Sequence, residues 1–287
     1  MAYIFKKILF LFILYIFLPS ESILLAAEKN FSYSSLNVPA AVSLFSSDGR
    51  PLRRYLSEDG MFREPVPLEQ ISPWAILAVL AAEDKRFFEH SGVDIKAIAR
   101  AAAQNASAGR TVSGASTITQ QLYRAYNPGP HTLGRKVSEA ISAIRLEQLH
   151  SKEEILQAYL NIIPYGNNLS GIQAASVSYF GVNAASLSLS QAAALAGEPR
   201  APSLYNPVSR PEAFEKRRLS VLSKMLNEGY IDEESYRLAV AESQQCASLS
   251  SHFSRLTFPH GQPPWLEKGL LCEPLLFLKF RKPCSMP

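Results

Sequence analysis

Glu83 stands at the end of an apolar run, residues 75–82, with Asp84, Lys85, Arg86, Phe87, Phe88, Glu89 and His90 behind it. A carboxylate held against apolar surface must be paired or shifted in pKa, and such a group can serve as a general base. The same residues also fit a solvated helix end with an ordinary charged face. A second group sets Ser116, Thr117, Thr119, Gln120 and Gln121 close behind Gly114. At the start of a helix that donor-rich turn suits an anion or a sugar; read as an N-cap followed by surface glutamines, it needs no ligand. In a third group, Arg135, Lys136 and Glu139, the arginine and the glutamate stand four apart and share a helix face. As an exposed ion pair they would contribute about a few tenths of a kcal/mol. As a functional group they offer cations to a phosphate, with Glu139 as a second carboxylate.

The elements that must position these groups are helical. Ser72 and Pro73 open a helix through residues 75–83, with the serine as N-cap and the proline at the first helical position. Asp94 caps another running through residue 103. The pattern continues over 116–126 and 132–150, and Ser151 with Glu154 forms a capping box for a helix ending near Asn161. Further helices are expected at 170–180, 190–196, 211–228 and 232–242. Ahead of them, residues 41–45 and 52–56 lead into turns at Ser47-Asp48-Gly49 and Asp59-Gly60, which are strand–turn signals. Strands and helices do not alternate, so a parallel nucleotide-binding sheet is not expected. The fold class is mostly α with a short N-terminal β segment.

Composition narrows the function. The 287 residues are 47% hydrophobic and 19% charged with a net charge of +4, which suits a globular chain with a real core. Nucleic acid is not expected as a partner, because phosphate contacts leave a basic stripe. The three cysteines, Cys246, Cys272 and Cys284, lack zinc-site spacing, and no metal site is expected.

The order and spacing of the clusters resemble the glycosyltransferase domain of bifunctional penicillin-binding proteins, the family-51 peptidoglycan glycosyltransferases, over about residues 36–245. The first motif matches as Glu83-Asp84, Phe87, His90, Gly92 and Asp94, the second as Gly114 with residues 116–121, and the third as Arg135, Lys136 and Glu139. A fourth matches as Lys152, Ile155, Leu156, Tyr159, Leu160 and Asn161; a fifth as residues 199–203 with Asn206, Pro207, Arg217 and Arg218. Pro164-Tyr165-Gly166 and residues 251–255 look most like the family's 1C branch.

The resemblance implies a lysozyme-like fold with a membrane-facing lobe, and polymerisation of lipid II into β-1,4 glycan with release of undecaprenyl pyrophosphate. It implies that Glu83 is the general base and that Glu139 is a second catalytic carboxylate, orienting cations or a substrate group. Lys136, Arg135 and Arg124 would stabilise the pyrophosphate. Ser116, Thr117, Gln120 and Gln121 would hydrogen-bond the sugar–phosphate region, and Phe87 would pack by the acceptor. His131 departs from the family, standing where many members carry an arginine. No cofactor is obligatory, with a divalent cation left open as an assistant.

Lys6 and Lys7 precede an unbroken apolar run, residues 8–18, which spans only about half of a roughly 30 Å hydrocarbon core. Residues 1–27 therefore read as a signal peptide or membrane anchor, and either places the rest outside the cytoplasm. The expected location is the bacterial inner membrane, with the catalytic domain on the periplasmic side. Residues 28–66 read as an extended linker with short strands, 67–245 as the glycosyltransferase domain, and 246–287 as a truncated or divergent Pro-rich tail. No transpeptidase motif follows residue 255, so penicillin binding is not expected and a separate transpeptidase would be a partner. Two other readings remain: a glycan-cleaving hydrolase with Glu83 as acid, and a non-catalytic remnant that binds lipid II or proteins.

Overall fold

The computed structural model describes residues 36–48, 51–57, 59–110, 114–130, 132–197, 199, 204–207 and 209–242. The N-terminal segment 1–27, His131, residues 200–203 and the tail from 246 lie outside the described residues. The described chain is mostly helical: a two-stranded antiparallel sheet, β1 (Val42–Phe45) and β2 (Pro51–Tyr55), precedes α1 (Pro73–Glu83), α2 (Ile95–Ala108), α3 (Ile118–Tyr126), α4 (Leu133–Leu149), α5 (Lys152–Ile162), α6 (Ile172–Phe180), α7 (Leu189–Gly197), α8 (Pro211–Asn227) and α9 (Glu233–Ala241). It divides into two compact units, one holding Leu36 and residues 86–159, the other residues 37–85 and 160–242.

The first unit is built on α3 against α4, where Tyr123 and Leu146 are buried and Leu36 packs on them. Asp94 caps α2 by accepting from the Ala97 amide, and Gly109 in the left-handed region ends it. The expected stop at residue 103 is thus five residues early, because Gly109 supplies the stop signal. Thr117 and Gln120 form a reciprocal capping box on α3, each side chain bonding the other's backbone amide. The Thr117 hydroxyl donates in turn to the Gly92 carbonyl at 2.7 Å. Gly92 has a φ of +86°, and a Cβ there would lie 2.6 Å from the Ala143–Ile144 backbone of α4, so no side chain fits.

The second unit centres on α1 and α7. Both are rich in alanine and buried on nearly every face, which lets them pack closely together. Ser72 precedes α1 as expected, but its hydroxyl donates to the Leu187 carbonyl at 3.0 Å instead of capping the helix. Arg218 of α8 is fully buried; it pairs with Glu215 and donates to Ser190 of α7 and to the Ala239 and Val240 carbonyls of α9. Residues 37–66 belong to the second unit. Phe62 and Arg63 are buried, and Arg63 donates to Ser170 at 2.8 Å, to the Pro39 carbonyl at 3.0 Å and to Asp59 at 2.9 Å. Asn161 brackets the Val66 amide and carbonyl with its own side-chain amide, fixing the chain that leads to α1.

Candidate active site

In the first unit, α3 and α4 bring Arg124, Arg135, Lys136 and Glu139 together, with Ser116 just ahead of α3. Glu139 is buried, its side chain 1% exposed. Arg124 grips both its oxygens, Nε to Oε1 and Nη2 to Oε2, each at 2.9 Å. Lys136 donates to Oε2 at 2.9 Å and to the Ser116 hydroxyl at 3.0 Å. Arg135 approaches Oε1 at 3.6 Å, and Gly129 leaves room for its guanidinium, since a Cβ there would meet Nη1 at 2.6 Å. The exposed ion pair that the i,i+4 spacing allowed is therefore a buried carboxylate with three cations. Burial pushes the Glu139 carboxyl up, but the hydrogen bonds and charges of Arg124 and Lys136 outweigh it and hold the group below its ordinary value. Three cations on one carboxylate leave an excess of two positive charges, which is the electrostatic requirement of an anion-binding group.

The remaining residues of the second motif divide by role. Thr117 and Gln120 are buried and committed to the capping box. Gln121 accepts from the Tyr159 hydroxyl at 3.1 Å. Phe87 is interior, 1% exposed, with the Lys152 ammonium 4.3 Å from its ring centroid. Sequence reasoning gave no role to Glu147, which accepts from Thr119 and pairs with Lys152 at 2.7 Å. The hydrophilic text around Glu147 carried no signal of that burial.

In the second unit, Glu83 ends α1 with its side chain 9% exposed. It meets Arg217 of α8, whose Nη2 stands 3.5 Å from Oε1. The apolar run before Glu83 signalled that this carboxylate needs a partner; nothing local in the sequence named Arg217. Among the described residues, no group of three or more His, Cys, Asp or Glu side chains could hold a metal ion. No described helix is long and apolar enough to cross a membrane.

Comparison with known proteins follows the same residues. The family model described as Transglycosylase matches residues 48–226, more than half of the chain. Penicillin-binding protein 1C of Escherichia coli K12 is 41% identical over 235 residues, covering 80% of this chain and 30% of that protein. Penicillin-binding protein 1A of the same organism is 44% identical over 202 residues, covering 70% and 23%. Penicillin-binding protein 1A of Aquifex aeolicus is 46% identical over 176 residues, covering 61% and 24%. The chain thus spans less than a third of the length of these curated relatives. A crystal structure of penicillin-binding protein 1A from Haemophilus influenzae aligns over 72% of this chain and 21% of that one, at 26% identity and a TM-score of 0.42.

Proposed function

The chain belongs to the transglycosylase family, and from that premise we propose that it is a peptidoglycan glycosyltransferase that polymerises lipid II into β-1,4 glycan. Glu83 takes the proton of the acceptor 4-hydroxyl. The oxygen attacks the anomeric carbon of the lipid-linked donor, the bond from that carbon to the phosphate oxygen breaks, and undecaprenyl pyrophosphate leaves with inversion. The leaving group is already an anion, so it needs positive charge more than a proton. Arg124, Arg135 and Lys136 supply that charge, and Glu139 fixes their geometry.

The observation that carries this reading is the cation cluster itself: a buried carboxylate holding Arg124 and Lys136 at 2.9 Å, with an excess of positive charge. A glycan hydrolase has no comparable need for such a cluster, because its leaving group is a neutral sugar hydroxyl. The partners we propose are lipid II, the growing strand, the membrane that carries them on its periplasmic side, and a transpeptidase that cross-links the product. No obligatory cofactor is proposed, and a divalent cation acts at most as an assistant.

Labelled lipid II incubated with the detergent-solubilised full chain tests the proposal. The expected result is lysozyme-digestible polymer from the parent and none from folded Glu83→Gln. A folded parent that binds lipid II and makes no polymer would leave a binding protein and remove the enzyme.

A further inference from the structure

Helix α8 presents Phe214, Arg217, Val221 and Lys224, with Glu228 as its C-cap, at intervals of three and four residues, and it packs against α1. Three of these residues hold the end of α1. Arg217 reaches Glu83, the Lys224 ammonium donates to the Ala82 carbonyl at 2.8 Å, and Glu228 pairs with Lys85 at 2.8 Å. The last carbonyls of a helix have no partner within it, so Lys224 satisfies one of them and ties the Glu83 backbone to α8. Arg217 is itself fixed. Its Nε donates to the Gly197 carbonyl at 3.1 Å, its guanidinium lies 5.7 Å from the Tyr205 ring, and a Cβ on Gly197 would come within 2.6 Å of its Cγ.

The two arginine–glutamate pairs differ in kind. Arg124 occupies both oxygens of Glu139 at 2.9 Å, the geometry of a charge-assisted fork. Arg217 Nη2 stands 3.5 Å from Oε1 of Glu83. The first contact locks a carboxylate in place; the second is longer and guides one. We propose that Arg217, set by Gly197 and Tyr205, is a positioning residue that orients Glu83 for proton abstraction. This inference rests on the reading of Glu83 as the general base.

The experiment measures kcat and KM for lipid II polymerisation by the full chain carrying Arg217→Ala, Arg217→Lys, Gly197→Ala or Glu83→Gln, beside the melting temperature of each. Arg217→Ala is expected to lower kcat about 10²-fold with KM changed little. Methylguanidinium in the buffer should restore part of that kcat, and Arg217→Lys should retain an intermediate rate. Gly197→Ala, which displaces Arg217 without removing it, should also lower kcat. If Arg217→Ala fails to fold, Arg217→Lys and Gly197→Ala carry the test. Unchanged kcat in the folded variants overturns the positioning role, as does a loss confined to KM, which would make Arg217 a substrate contact. Polymerisation by Glu83→Gln would remove the base itself; an inactive Glu83→Gln beside full kcat in the Arg217 variants removes only the positioning.

Discussion

At Glu139 two opposing effects meet on one side chain. Burial disfavours the charged form, while the fork from Arg124 and the bond from Lys136 favour it, and the neighbours prevail. The folded carboxyl therefore titrates below the ordinary value of 4.5. The sign follows from linkage: the stabilisation is fully present above the unfolded value and is lost as pH falls through the lower, folded one. Melting temperatures of the parent and Glu139→Gln should differ most near neutral pH and converge as pH falls below about 4. A gap that stays constant down to pH values of about 3 would contradict the geometry. The spacing of Arg135 and Glu139 was legible as a shared helix face, but the depth of the carboxylate was not. Arg124, which makes the fork, lies on a different helix, and periodicity within one element says nothing of what covers it.

At the scale of elements, the caps were the most legible features because their signals are local. Asp94, and Ser151 with Glu154, make the side-chain bonds expected of their positions, while the Thr117–Gln120 box engages two residues expected at the substrate. What the sequence left unread are contacts across long separations, such as Thr119 with Glu147 over 28 residues and Arg217 with Glu83 over 134. Gly92 joins the two kinds of information. Its place in the first motif was visible, whereas the reason for it is the passage of α4 against its Cα and the hydrogen bond from Thr117. Gly92→Ala should therefore destabilise the chain by about 2 kcal/mol, through both the left-handed backbone and the collision with residues 143–144. Denaturant unfolding of this variant checks the effect, and a midpoint equal to the parent's would contradict the close approach.

For the whole molecule, helical periodicity gave the mostly α class and the nine described helices to within a few residues, α2 excepted. It did not give the role of residues 37–66, whose polar, turn-rich text hides the buried Arg63 that ties them to Ser170. In one unit α1 and α8 hold Glu83, and in the other α3 and α4 hold Arg124, Arg135 and Lys136. The measurement that tests this account most directly follows polymer and lipid together, using lipid II labelled in both the sugar and the undecaprenyl chain. The expected result is one undecaprenyl pyrophosphate released for each glycosidic bond formed, with polymer lengthening throughout and both signals lost in Glu83→Gln. Lipid release without strand growth, or shortening of preformed glycan, would contradict glycosyl transfer as the reaction of this chain.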